Sequence, residues 1–240
     1  MTVERPGAEQ LLVVLEAGAE PGDLAMEREA ELARAAREGR GAPLLLRLHG
    51  WASPVLTWGR TQRLPGDLPR EAAGAGVALA RRPTGGGWLL HLPGDLAVTL
   101  VLRGPLRAGE LRGAARATGE AIAAALGALG VDAAAAPPAA SPPGTGRADV
   151  CFQRVDREEV VAGASKVAGV ALARFGRAAL VQAAIPLVPA RGRLAAFEAR
   201  WDPRRREAVA RTAAIDAGSL AAAVETELSR RLVTGAGKEG

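Results

Sequence analysis

Tyrosine is absent from the 240 residues, and the aromatic share is only 3%. A surface for stacking nucleobases is therefore poorly supplied. The net charge of +5 is scattered along the chain apart from Arg204–Arg206, so no nucleic acid is expected as a partner. A modest basic excess suits an acidic protein instead. A single cysteine rules out an internal disulfide. Neither of the two histidines has a second His or Cys at metal-ligand spacing, and no metal site is expected. No apolar stretch approaches about 18 uncharged residues, so no membrane span is expected. The polar start, Met1–Gln10, lacks a charged-then-apolar secretion pattern. A cytoplasmic location is the simplest expectation.

Lysine is almost missing too. Of 31 basic residues only Lys166 and Lys238 are lysines. Arginine is planar and permanently charged, whereas lysine is a compact ammonium whose pKa can be tuned. Lys238 lies in a polar tail. Lys166 lies in an ordered-looking segment. A lysine kept there answers a chemical need, or it is a chance survivor on a strand surface.

What is present reads as globular: 48% hydrophobic and 24% charged residues, long enough to bury a core without staples. Strands are predicted at 11–16, 43–48, 54–59 and 77–82, with a helix from the capping Asp23 to about Gly39 and a short helix at 65–74. Residues 88–92 and 95–102 read as a hairpin around Pro93-Gly94, its second strand central because it is nearly all apolar. Leu111, Ala115, Thr118, Ile122, Leu126 and Leu129 recur at helical spacing. A proline-rich connection spans 133–146. Strands follow at 148–153, 158–162, 165–173 and 178–187, with a tight turn at Ala162-Gly163-Ala164. Beyond Pro189 the pattern is helical, with Leu220, Val224 and Leu228 on one face. The expected fold is an α+β domain whose mixed, mostly antiparallel sheet is flanked by helices. A disordered tail is expected at 234–240.

The segment Arg81-Arg82-Pro83-Thr84-Gly85-Gly86-Gly87-Trp88-Leu89-Leu90-His91 carries the strongest local signal. Three glycines without Cβ atoms let a ligand touch the backbone, with N–H groups free to face a carbonyl or phosphate. No Gly-Lys-Ser/Thr follows, so this is not a Walker loop. A strand follows rather than a helix, so it is not a dinucleotide fingerprint. A strained bulge needing glycine torsions is the other reading. His91, beside an apolar strand, reads as a structural histidine or a base. Cys151, in "RADVCFQR", is inert and buried by default or reactive if a positive group favours its thiolate. Lys166 is one short hairpin away.

These motifs resemble the catalytic domain of the biotin/lipoate protein ligase family, on its lipoate-ligase and octanoyltransferase side. The Arg81–His91 loop, Lys166-Val167-Ala168-Gly169, the helix "GDLAMEREAEL", "LRLHGWASPVLTWGRTQ" and "VQAAIPL" carry the likeness, over about residues 11–190. It implies a class II aminoacyl-tRNA synthetase/biotin ligase-like domain at 1–190, with 191–233 as a helical appendage. "VCF" resembles the cysteine-type octanoyltransferases, in which the cysteine carries the acyl group as a thioester. The resemblance implies Cys151 and Lys166 as catalytic residues. It implies Arg81, Arg82, Gly85, Gly86, Gly87, His91 and Gly169 as the substrate-binding set. Segments 88–90 and 96–102 would wall an acyl tunnel. The implied partners are acyl carrier protein and lipoyl domains, those of 2-oxoacid dehydrogenase E2 and the glycine cleavage H protein. No cofactor is implied for the transferase, and ATP with Mg for a ligase; a member that only binds lipoyl proteins is a third alternative. Trp88 stands where the family usually has alanine and, pointing inward, would shorten the acyl pocket. Val170-Ala171, Ala183-Ala184 and Ala97-Val98-Thr99 also depart from the family pattern, each with a loss of polar groups.

Overall fold

In chain order the elements begin with β1 (Leu12–Glu20), α1 (Gly22–Arg37), β2 (Leu44–Trp51), β3 (Val55–Trp58), α2 (Leu68–Ala75) and β4 (Ala78–Arg81). Then come β5 (Leu89–His91), β6 (Leu96–Arg103), α3 (Ala108–Ala128), β7 (Ala134–Ala135) and a 3₁₀ turn, Cys151–Gln153. The chain continues through β8 (Val160–Ala162), β9 (Ser165–Phe175), β10 (Ala178–Ile185), α4 (Arg193–Trp201), α5 (Arg205–Thr212) and α6 (Ala217–Val233). This is a computed structural model that describes residues 12–137, 150–153, 155 and 158–233. Met1–Gln10, residues 138–146 of the proline-rich connection with 147–149 after it, and the expected tail at 234–240 with Lys238 lie outside the described residues.

Seven strands form one sheet in the order β1-β2-β6-β10-β9-β8-β7, and three form a second, β4-β3-β5. The large sheet is mixed and mostly antiparallel, as expected: only β1 and β2 run parallel. Its two faces differ. Leu46, Leu48, Val98, Leu100, Val181 and Ala183 point to one side, where Ile122 and Leu126 of α3 and Leu220, Val224 and Leu228 of α6 cover them. Truncating one such leucine to alanine costs about 2–5 kcal/mol. The predicted apolar stripes of α3 and α6 thus meet one core, while Phe197 and Trp201 of α4 pack with Leu56 and Leu90 of the small sheet. The other face carries Arg47, His49, Thr99, Ala97, Gln182 and Ala184, by strand alternation. Helix α1 covers part of it: Ala33 and Ala36 pack on Val101 and Leu180, and Ala25 and Met26 on Trp51 and Ala97.

Three expectations change. Residues 88–92 and 95–102 do not pair as a hairpin: β5 joins β3 in the small sheet and β6 joins β2 and β10 in the large one. Asp95 makes the switch, accepting the N–H groups of Leu92, Leu187 and Val188 on its carboxylate, so the turn is tied to the end of β10 rather than closing a ladder. Of the strand expected at 148–153, the described residues 150–153 make a single parallel bridge, Trp88 to Val150, followed by the 3₁₀ turn; residues 148 and 149 lie outside the described residues. Asp23 is not the helix cap; α1 starts at Gly22 behind Pro21, and Asp23 sits in its first turn.

Candidate active site

The polar face of the large sheet, α1 and the small sheet enclose a cavity of about 690 Å³. Gly85, Gly86 and Gly87 line it. The far side of that loop is occupied as well. A Cβ on Gly59 would lie 2.2 Å from the Gly86 oxygen, so two bare backbones touch there. Gly86 has φ +96°, a torsion that favours glycine. Arg82 is buried and reaches across the loop. It donates to the Gly85 oxygen at 3.2 Å and the Gly87 oxygen at 2.5 Å, and to Thr57 Oγ1 at 2.7 Å. Thr57 in turn meets His91 Nε2 at 2.8 Å, and the His91 ring stacks on Trp51 at 4.1 Å. Burial, then the nearby Arg82, holds the His91 pKa well below its ordinary range, so this histidine is neutral. It buttresses the loop through Thr57 and Arg82.

Cys151 lies at another wall of the same cavity. Its N–H donates to the Trp88 oxygen at 2.9 Å, which pins it to the strand leaving the glycine loop. Lys166 Nζ stands 3.7 Å from its sulfur and donates to its carbonyl oxygen at 2.6 Å. The same ammonium meets Glu159 Oε1 at 2.5 Å and lies 5.3 Å from the centre of the Phe152 ring. Lys166 does not line the cavity; Cys151 and Glu159 do. A Cβ at Gly169 would come within 3.0 Å of the sulfur and 3.7 Å of Nζ, so a side chain there would crowd the thiol.

A β-bulge brings these groups to one face. Val160 pairs with Ala168, but Val161 pairs with Lys166, so Val167 is an extra residue on β9. Regular alternation from Gly169 and Ala171, both on the cavity, would aim residue 167 at it. The bulge instead sends Val167 into the core and Lys166 to the cavity side. Re-aiming a side chain is what bulges beside functional sites do.

Further along the cavity wall lies a buried polar network. Thr84 donates to Gln182, and Gln182 to Glu29. Thr99 donates to Glu29 at 2.6 Å, and Arg47 donates to it at 3.2 Å. Burial raises the Glu29 pKa to about 7, against the lowering pull of these donors. Glu29 stands in the apolar stripe Met26, Glu29, Ala33, Ala36 of α1, and a carboxylate at that spacing was the available sequence signal. Glu159 gave none, because it lies in a run of charged residues.

The thiol is pushed up by burial. Lys166 and Arg82 pull the other way, but Glu159 and Asp202 add to the rise. The expectation that Lys166 lowers the thiol pKa therefore holds as one contribution, while the balance favours a protonated resting thiol. Asp202 anchors the frame: it accepts the Leu90 N–H at 3.0 Å and carries a pKa raised to about 7 by burial.

A model of the lipoyl protein ligase A/B catalytic domain matches residues 22–229. The chain belongs to this family. It is 33% identical over 168 residues to octanoyltransferase LipM of Symbiobacterium thermophilum, a match covering 67% of this chain and 60% of that protein. Octanoyltransferase LipM of Moorella thermoacetica is 32% identical over 158 residues, covering 63% of this chain and 56% of that one. The match thus spans less than two thirds of these curated relatives. Among solved structures, lipoate-protein ligase A bound with ATP superposes with a TM-score of 0.69 at 23% identity, covering 92% of this chain and 84% of that one. A bipartite lipoate protein ligase, studied with its E2 lipoyl domain from Thermoplasma acidophilum, gives 0.63 at 23%, covering 94% and 84%. At that identity the likeness establishes the fold.

Within this lipoyl protein ligase A/B domain Trp88 does not shorten the cavity. It is buried on the other side of its strand, donating Nε1–H to the Trp201 oxygen at 2.6 Å and packing with Leu90 and Phe197. Of segments 88–90 and 96–102, Leu89, Ala97 and Thr99 wall the cavity; the residues between them face the cores by strand alternation, and Val101, on the cavity face of β6, is covered by Ala33 and Ala36 of α1. Arg81 is exposed, donates to the Arg60 oxygen and does not line the cavity. Among the described residues no group of three His, Cys, Asp or Glu is arranged to hold a metal, and no helix is long and apolar enough to cross a membrane.

Proposed function

We propose that this protein moves an octanoyl or related acyl group from acyl carrier protein to a lysine of a lipoyl domain, through a thioester on Cys151. The carrying observation is the sulfur and ammonium 3.7 Å apart at the wall of a large cavity faced by a bare glycine loop. Cys151 attacks the acyl thioester and releases the donor thiol. The acceptor amine then attacks the enzyme thioester, and Cys151 leaves. Lys166 lies behind the sulfur, so its charge acts on the thiolate and on proton delivery. Gly85–Gly87 let the acyl chain lie against backbone, and the loop N–H groups are the candidate donors to the oxyanion. Met26, Leu89, Ala97 and Ala184 supply apolar wall.

Incubation with octanoyl-acyl carrier protein without ATP, followed by intact mass, tests this reading. An octanoyl adduct that is lost in Cys151→Ser supports it. No adduct, with lipoylation of a lipoyl domain on adding lipoate, ATP and Mg, would favour an ATP-dependent ligase. Neither reaction, with a lipoyl domain still bound, would leave a binding protein.

A further inference from the structure

A thiol held protonated by burial needs a base before it can attack. The neighbouring lysine does not supply one while it stands as an ammonium against a carboxylate, because it has no lone pair to offer. The carboxylate does. Glu159 Oε1 is 2.5 Å from Nζ, and Nζ is 3.7 Å from Sγ, so the three groups form a chain. Glu159 is 4% exposed and lines the cavity. The bulge in β9 is what puts Lys166 on its side of the sheet. A thiol, a nitrogen and a carboxylate in line is the arrangement by which nucleophiles are activated on other folds.

We propose that Glu159 is the proton acceptor of the site, taking through Lys166 the proton that Cys151 gives up on attack. This rests on the acyltransferase reading. As Sγ loses its proton to Nζ, Nζ passes one to Glu159 Oε1, so the lysine stays an ammonium and the carboxylate becomes a carboxylic acid. The Sγ–C bond forms at the acyl carbonyl, and the carbon–sulfur bond to the donor breaks. The departing thiolate takes a proton from Nζ, and Glu159 returns its proton to Nζ. Protons and charge balance over the step. Among the described residues, the charged groups acting on Cys151 are Lys166, Glu159, Arg82 and Asp202. Glu159 acts through Lys166 and is a positioning and relay residue.

Glu159→Gln tests this with two readouts. The first is alkylation of Cys151 by iodoacetamide against pH, which needs no acyl donor. With the opposing carboxylate gone, alkylation at pH 7 should rise several-fold and the half-point should move to lower pH. The second is single-turnover formation of the octanoyl thioester. It should fall about 100-fold, the scale of one proton-transfer group, because the proton released by Cys151 no longer has an acceptor beyond Lys166. An unchanged alkylation profile, or octanoylation at the wild-type rate, overturns the proposal. If circular dichroism shows that Glu159→Gln does not fold, Glu159→Asp carries the test. Its carboxylate falls one methylene short of Lys166, so octanoylation should slow about tenfold, and a wild-type rate overturns the proposal. If the wild-type protein forms no octanoyl thioester, the acyltransferase reading fails, while the alkylation arm still decides whether Glu159 is coupled to the thiol.

Discussion

Two of this domain's buried cations, Arg205 and Lys166, are not alike. Arg205 is fully enclosed. Its Nε donates to the Leu90 oxygen at 3.0 Å, one terminal nitrogen to Glu198 at 2.7 Å, and the other to Asp95 at 2.6 Å and the Val188 oxygen at 3.0 Å. Lys166 is likewise buried against a carboxylate, but it also faces a thiol. A guanidinium does not release a proton in proteins and fixes its neighbours by a rigid fork; an ammonium is a rotatable point charge that exchanges protons. The difference marks Arg205 as framework, bonded to the edge of β5 through the Leu90 oxygen, and it is the reason Lys166 rather than an arginine is proposed to carry the proton chemistry. On that proposal, it also accounts for a lysine kept inside an arginine-dominated chain.

The comparison breaks first at the framework. Arg205→Ala leaves Asp95 and Glu198 buried without their cation and should cost about 3–5 kcal/mol, read by urea unfolding; a loss under about 1 kcal/mol would refute the framework role. Next comes Lys166→Arg. The fold should melt cooperatively, while octanoyl transfer falls about 100-fold, or about 2.7 kcal/mol of barrier; full transfer in this variant would remove lysine's special role.

A third test uses pH. Glu29 has an ordinary value of 4.5 and a folded value of about 7. The folded state therefore holds a proton that the unfolded state has lost between those values, and stability falls as pH rises through that window, by an amount on the order of 3 kcal/mol. Asp202, raised to about 7, acts in the same sense. His49, pushed down to about 3 by burial, acts oppositely below its ordinary 6.5. Glu29→Gln should flatten the decline in melting temperature between pH 5 and pH 7.5; an unaltered slope would show that Glu29 is ionised when folded. The smallest effect is expected for Arg81→Ala. This exposed side chain lies off the cavity, so stability should shift by less than about 0.5 kcal/mol and transfer should be retained. A transfer defect there would extend the site beyond the cavity and blur the line drawn between buried and exposed arginines.

Much of the site was legible because its signals are local. Three adjacent glycines, a lone cysteine and a lone interior lysine stand out against composition, and the stripes of α3 and α6 follow from helical periodicity. The hairpin expected around Pro93-Gly94 failed because local alternation does not say which sheet a strand joins. Asp95 decides that through contacts with Leu187 and Val188, more than ninety positions away. Trp88 looked like an obstruction, since neither its side of the strand nor its partner Trp201 is written nearby.

By itself the sequence determined which segments become helices and strands, which chemical groups are available, and where a backbone is left bare, since each follows from residue type and short spacing. Tertiary structure alone decided that Cys151 and Glu159 share one wall with Lys166 in contact with both behind it. That outcome hangs on the parity of β9, and one extra residue at Val167 reverses it. Parity belongs to strand pairing across the sheet and is carried by no residue alone.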